Sequence, residues 1–269
     1  MPTNASRRRS QPSRGRISSG PGHGRSCVGA RGYLLSPNDD PAYLYADVLV
    51  GIDPSRDLNN GQPSFHFLLL ARLDPQPGHH VVHIGAGTGY YSAILAQLVG
   101  PGGRVTAIEY DPGLAARASV NLRRLPWVSV VHGDGATAPF DPADAIYVNA
   151  GATHPLDHWL DRLRDGGGMI LPLTAHQARS AFNPATVRRS GAVFLMRRRG
   201  DRYAARWISP VAIYPCAGAR DRRAGAALAS ALKQGGAQLV RSLRRNDRPP
   251  SKRDWLSGDG WALSYHDPA

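Results

Sequence analysis

Five residues in this chain have types and spacings suited to chemistry: Gly85, Gly87 and Gly89 in one turn, and the acids Glu109 and Asp134 downstream. Val81-Val82-His83-Ile84 reads as a β-branched strand that feeds Gly85-Ala86-Gly87-Thr88-Gly89-Tyr90 and then a helix. Glycine suits a backbone that bends sharply and passes close to a ligand, because a Cβ collides there. The helix start behind the turn favours a carboxylate or phosphate. Glu109 follows Gly89 by twenty residues, at the end of the next strand, where a carboxylate accepts both hydroxyls of a ribose. Asp134, in Gly133-Asp134-Gly135-Ala136 beyond the third strand, is placed to accept an adenine amino group, although Asp-Gly alone is also ordinary turn chemistry. A dinucleotide site wants Gly-x-Gly-x-x-Gly, and Tyr90 stands where its third glycine would fall. The spacing favours S-adenosyl-L-methionine over a dinucleotide, with a purely structural loop as the remaining reading.

Positioning such groups needs alternating strands and helices. Strand patterns cover residues 81–84, 104–109, 128–131, 145–148 and 169–173, and helical patterns cover 65–73, 90–98, 112–122 and 156–163. Repeated β-α-β units of this length predict an α/β fold: a doubly wound, mostly parallel, Rossmann-like sheet covered on both faces. Two later strand patterns, 192–197 and 203–210, flank Arg199-Gly200-Asp201 and predict a C-terminal antiparallel hairpin. The organisation expected is a basic disordered tail over 1–30, an N-terminal lid or substrate segment over 31–64, a nucleoside-binding core over 65–215 and a helical extension over 216–269, its helix at 222–240.

Composition narrows the classes. Apolar residues make up 42% of the 269, enough for a sizeable core. No run approaches the roughly 20 apolar residues of a membrane helix, so no membrane partner is expected. Cys27 and Cys216 form neither a disulfide framework nor a metal site, which fits a reducing, cytoplasmic setting. The net charge of +13 is unevenly spread. Seven arginines and no acid fall within 1–31, and the rest gathers at Arg197–Arg199, at Arg220, Arg222 and Arg223, and at Arg241, Arg244 and Arg245. These clusters read as solvated faces first and as a nucleic-acid surface second. The tail lacks the apolar core of a secretory signal; a transit peptide or an early start codon are its other readings.

Several of these segments together resemble the protein-L-isoaspartate O-methyltransferase family. The likeness rests on Gly85 to Tyr90, Ile108-Glu109, Gly133-Asp134-Gly135, the stretch from Leu163 to Pro172 that includes Gly166-Gly167-Gly168, and Gln62-Pro63 ahead of an apolar helix and Asp74-Pro75-Gln76-Pro77-Gly78. The resemblance implies methyl transfer from S-adenosyl-L-methionine to an isoaspartyl or related carboxylate of a protein or peptide. It places Gly85, Gly87, Gly89, Glu109, Asp134 and Gly135 at the cofactor and Asn60, Gly61 and Gln62 at the substrate. Three positions depart from the family pattern. Gly61 stands where a serine usually precedes Gln-Pro, with Ser64 as a substitute or, alternatively, a helix N-cap. His83 replaces an acid ahead of the glycine turn, near the cofactor's amino-carboxylate end or as a core-edge histidine. Asn149 follows the fourth strand as a donor to substrate, with His154 beyond it as a candidate acid or base. Ser64 and Asn149 are therefore the catalytic candidates. A non-catalytic protein of the same fold, or an RNA methyltransferase using the arginine clusters, are the competing readings.

Overall fold

Apolar residues in unbroken runs make strands buried on both faces, and the central strand here, His80–Ile84, is buried at every position. The computed structural model describes residues 26–29, 32–36, 38, 40, 42, 46–175, 190–245 and 249–268. Two short strands, β1 (Ser26–Gly29) and β2 (Gly32–Leu35), pair antiparallel. The tail expected over 1–30 thus reaches a strand by Ser26, and its first 25 residues, like Tyr43, Leu44 and Tyr45, lie outside the described residues. A second small ribbon joins β3 (Gly51–Asp53) and β4 (Leu58–Asn59) through a 3-10 turn at Pro54–Arg56.

The core follows as α1 (Pro63–Leu73), β5 (His80–Ile84), α2 (Tyr90–Val99), β6 (Arg104–Glu109), α3 (Pro112–Leu122), β7 (Val128–His132), β8 (Ala143–Val148), α4 (Asp157–Arg162), β9 (Leu163–Thr174), β10 (Gly191–Arg199) and β11 (Arg202–Pro210). Proline opens both α1 and α3, where its missing N–H costs nothing, and Asp111 caps α3 by accepting from the Leu114 N–H at 2.8 Å. Beyond β11 come α5 (Arg222–Gln234), β12 (Ser242–Arg245), β13 (Asp254–Gly258) and β14 (Trp261–Ser264).

One ten-stranded sheet runs β13-β14-β12-β11-β10-β9-β8-β5-β6-β7. Pairing is parallel from β7 through β6, β5 and β8 to β9, and antiparallel from β9 outward. The α/β doubly wound class is as expected, but the antiparallel part is far larger than a hairpin. The extension expected to be helical over 216–269 holds one helix, which stops at Gln234, and three strands that continue the main sheet past β11. Arginines and aspartates between its apolar residues hide the strand alternation. In the fold Arg244 meets the almost fully buried Asp254 carboxylate at 2.7 Å, so both charges are answered inside the sheet region.

The two sheet faces divide the core. Val81, Ala145, Tyr147 and Ile170 face α1 and α2, with Leu69, Leu73, Leu95 and Val99 among their neighbours. Val82, Ile84, Ile146 and Val148 face the other way, toward Trp159 and Leu160 of α4 and Leu228 of α5. Six of the nine late-cluster arginines turn back on the protein. Arg198 Nη1 donates to the Leu160, Asp161 and Leu163 carbonyls at the end of α4, and Arg220 to those of Gly151, Thr174 and Ala175. Arg197 donates to the Arg72 and Leu73 carbonyls, and Arg241, Arg244 and Arg245 pair with carboxylates. Orphan carbonyls at element ends need such donors. No helix among the described residues is long and apolar enough to cross a membrane.

Candidate functional site

Chain direction reverses its spread at β5: β6 and β7 lie to one side, β8 and β9 to the other. Open α/β sheets take ligands at the carboxyl ends of their strands at such a switch point. A cavity of about 1350 Å³ opens there. It exceeds the roughly 300–1,000 Å³ of a small-molecule pocket, leaving room for a nucleoside donor and part of an acceptor. It is lined by the turn after β5, by Glu109, Asp134, Gly135 and Asn149, and by residues 59–62 and 209–217.

The turn is tied down before any ligand arrives. Gly85 and Ala86 both donate to the Ile108 carbonyl, and Gly87 N–H donates to Glu109 Oε2 at 2.6 Å. Glu109 Oε1 accepts from the Asp111 N–H at 2.9 Å. Each carboxylate oxygen therefore keeps a further lone pair, on a side chain that lines the cavity. Burial raises the Glu109 pKa above the usual carboxylate value, against the lowering effect of these backbone donors. Asp134 Oδ1 accepts from the Ala136 N–H, and its carboxylate lies against Gly218, where a side chain would collide with it. Gly135 packs against Ile84 so closely that a Cβ would overlap the isoleucine, and its carbonyl accepts from Trp159 Nε1 at 2.7 Å. Asn149 lies at the end of β8, its backbone N–H on the Ile84 carbonyl and its side chain 3.4 Å from the Gly85 carbonyl.

Three expected site residues fall elsewhere. Gly89, with φ +87°, does not line the cavity; a Cβ there would come 2.7 Å from Leu122 Cδ1. It clears α3 for α2 to start. Gly89→Ala should therefore lower stability by about 2–4 kcal/mol in urea unfolding, from αL strain and overpacking. Leu122→Ala in the same chain should recover part of that loss; no recovery would refute the packing role.

His83 is the second correction. Strand alternation turns it onto the α1/α2 face beside Tyr147, fully buried, with Nδ1 2.8 Å from Ser92 Oγ. Desolvation lowers its pKa to about 3, so the ring is neutral. Ser64 is the third. It is exposed, lies outside the cavity and is not the N-cap, which is Gln62. Its hydroxyl donates to Asp47 Oδ2 at 2.7 Å and its N–H to Asp47 Oδ1 at 2.8 Å. Asp47 thus supplies from upstream the acceptor that α1 lacks at its own cap. Gln62 also donates to Asp47, and Asn60 accepts from the Val50 N–H, so the wall at 59–62 is held from the N-terminal side. His154 does not line the cavity, and burial lowers its pKa.

Other cavity residues carried no mark in the sequence. Ile52 of β3 sits over the turn, 3.4 Å from where a Gly87 Cβ would be. That ribbon is fastened to α3 by Arg56 on Asp111 at 2.6 Å and by Arg117 on the Ile52 carbonyl at 2.9 Å. His66 and Tyr91 reach the cavity from α1 and α2, and residues 209–217 reach it from beyond the hairpin. The strand pattern over 203–210 was visible, but the return of the chain beyond it to the cavity was not.

A five-stranded parallel arrangement, a glycine turn and an acid at the end of the second strand define a class I methyltransferase fold with a nucleoside-sized site. Residues 36–201 match the family model described as protein-L-isoaspartate(D-aspartate) O-methyltransferase. The chain belongs to that family. A protein-L-isoaspartate O-methyltransferase of Methanopyrus kandleri is 37% identical over 139 residues, covering 50% of this chain and 60% of that one. One from Aeropyrum pernix is 44% identical over 110 residues, covering 39% and 42%. A solved protein-L-isoaspartate O-methyltransferase superposes with a TM-score of 0.56 at 25% identity, covering 76% of this chain and 61% of that one. The chain thus spans between about two fifths and three fifths of the length of these relatives.

Proposed function

We propose that the chain is an S-adenosyl-L-methionine-dependent O-methyltransferase acting on an isoaspartyl or related carboxylate of a protein or peptide. The observation that carries this is Glu109, a buried carboxylate at the end of β6 that braces the glycine turn and keeps lone pairs toward the cavity. A ribose offers two adjacent hydroxyl donors to such a group. Asp134 accepts the adenine amino group, Gly135 lets the base approach Ile84, and Ile52 excludes water above the turn. When bound, S-adenosyl-L-methionine supplies an electrophilic methyl group.

The chain's own residues have a limited task at the acceptor. A carboxylate with a reference pKa of about 4 is already ionised at neutral pH, so it needs alignment more than a base. Asn60, Gly61, Gln62 and Asn149, which line the cavity, bind and orient it. The free, buried Cys216 thiol fits a reducing, cytoplasmic setting.

Incubation with methyl-labelled S-adenosyl-L-methionine and an isoaspartyl peptide tests the reading. Base-labile label on that peptide, and not on its aspartyl counterpart, is the expected result. Label on other peptide carboxylates alone would move the acceptor, and no binding of S-adenosylhomocysteine would refute the enzyme.

A further inference from the structure

Histidine 66 sits where the acceptor wall and the core meet, and no sequence pattern singles it out. Three contacts lock its ring. Nδ1 is 2.6 Å from Tyr147 Oη, the ring face stacks on Tyr91 with centroids 3.7 Å apart and planes 12° apart, and the Nε2 edge abuts Gly61. That last contact is unusually close. A Cβ on residue 61 would overlap Nε2 and lie 2.9 Å from Cδ2, so the imidazole fills the volume that any side chain at 61 would enter. Gly61, at φ +77°, and His66 both line the cavity.

The hydrogen-bond network sets which nitrogen carries the proton. Tyr147 is fully buried, and desolvation raises its pKa well above the phenol value, so it keeps its proton. Its hydroxyl contact is with His66 Nδ1. With the phenol donating to Nδ1, the proton of the neutral imidazole resides on Nε2, the nitrogen that abuts the cavity-lining Gly61; this tautomer is assigned from the partners. Burial lowers the His66 pKa to about 3, so no proton is available to quench a carboxylate nucleophile.

We infer that His66 is an acceptor-binding residue, its Nε2–H donating to the acceptor carboxylate from the place a side chain at position 61 would otherwise hold. The inference rests on the carboxylate-methylating reading above and adds the group that receives the carboxylate. A neutral donor suits the task. It fixes one carboxylate oxygen through a hydrogen bond and leaves the other for attack on the methyl group, with the carboxylate still ionised. Its orientation is set before substrate arrives, because the tyrosine bond and the stack fix the rotamer.

The test uses the full chain with His66→Phe, which keeps the ring and its stack but has no N–H, and His66→Gln, which restores an N–H donor without the ring. Affinity for S-adenosylhomocysteine, measured by calorimetry, reports whether the fold and donor site are intact. Both variants should bind it within about twofold of the parent. His66→Phe should lose on the order of tenfold in kcat/KM for an isoaspartyl peptide, the worth of one hydrogen bond to a charged group, and His66→Gln should keep a larger share of the activity. A purely structural role predicts the opposite order, with the aromatic variant the more active. Wild-type kcat/KM in His66→Phe with intact donor affinity overturns the assignment alone. A parent chain that binds S-adenosylhomocysteine yet methylates no carboxylate overturns the acceptor reading and this assignment with it.

Discussion

Glu109→Ala should weaken S-adenosylhomocysteine binding by at least roughly tenfold in calorimetry, the largest loss expected from any single side chain at the donor end. Hydrogen bonds to a charged group contribute about 1.5–3 kcal/mol each, and about 1.4 kcal/mol is a factor of ten. The substitution removes the proposed ribose acceptor and also unties the turn, since Gly87 and Asp111 both donate to that carboxylate. Glu109→Gln separates the two effects: its amide oxygen still accepts one backbone N–H, while its NH2 faces the other donor. An affinity unchanged in both variants would refute ribose binding by Glu109.

The same residue gives the site a pH dependence with a definite sign. Burial raises the Glu109 pKa, so acidification protonates it at a higher pH than an ordinary glutamate, and donor affinity should begin to fall there. Its effect on folding runs the other way. A carboxyl whose folded pKa is raised contributes stability below its unfolded pKa and loses it as pH rises through the folded value. The buried, neutral His66 and His83 make overall stability fall on acidification. The Glu109 contribution is therefore read from thermal unfolding as the stability difference between the parent and Glu109→Ala. That difference should move in the parent's favour as pH falls, while the parent's donor affinity declines.

Trp159→Ala should be the most destabilising single change, costing about 3–5 kcal/mol for the lost indole. Trp159 is fully buried between α4 and the sheet, and its Nε1–H donates to the Gly135 carbonyl at 2.7 Å. Removing the donor strands a buried carbonyl at a further cost of about 1–3 kcal/mol. Net stabilities of domains are about 5–15 kcal/mol, so most of the folded margin is at stake. Trp159→Phe keeps most of the volume and should show chiefly the hydrogen-bond loss, with weaker donor affinity because Gly135 carries Asp134 beside it. Urea unfolding resolves the two variants; no loss of stability in Trp159→Phe would mean the bond to Gly135 holds nothing in place.

Much of the parallel half was legible in the sequence because its signals are local. Val81-Val82-His83-Ile84 before glycines, proline at the first turn of α1 and α3, and acids at strand ends act within a few residues of one another. Boundaries agree within a residue or two at α2 and β8, whereas β9 starts six residues ahead of its expected place, at Leu163. The last three strands were not legible. Each is only four or five residues long, and the first two carry arginine or aspartate that reads as surface until the partner across the sheet is known. The arginine clusters failed for a related reason, since a carbonyl at the end of a distant helix leaves no trace in sequence.

The sequence by itself determined that a glycine turn after a strand would be followed by an acid at the end of the next, because backbone bending and strand length act over short distances. It also determined the family likeness, since those motifs occur in a set order. Tertiary structure alone decided which residues meet. Strand alternation sent His83 into the core, the approach of α3 gave Gly89 its reason, and Asp47 drew Ser64 away from the cavity. His66 came to the cavity wall because Tyr147 and Tyr91, from two other elements, hold its ring against Gly61. Such contacts depend on packing between elements far apart in the chain, and packing is a property of the folded whole.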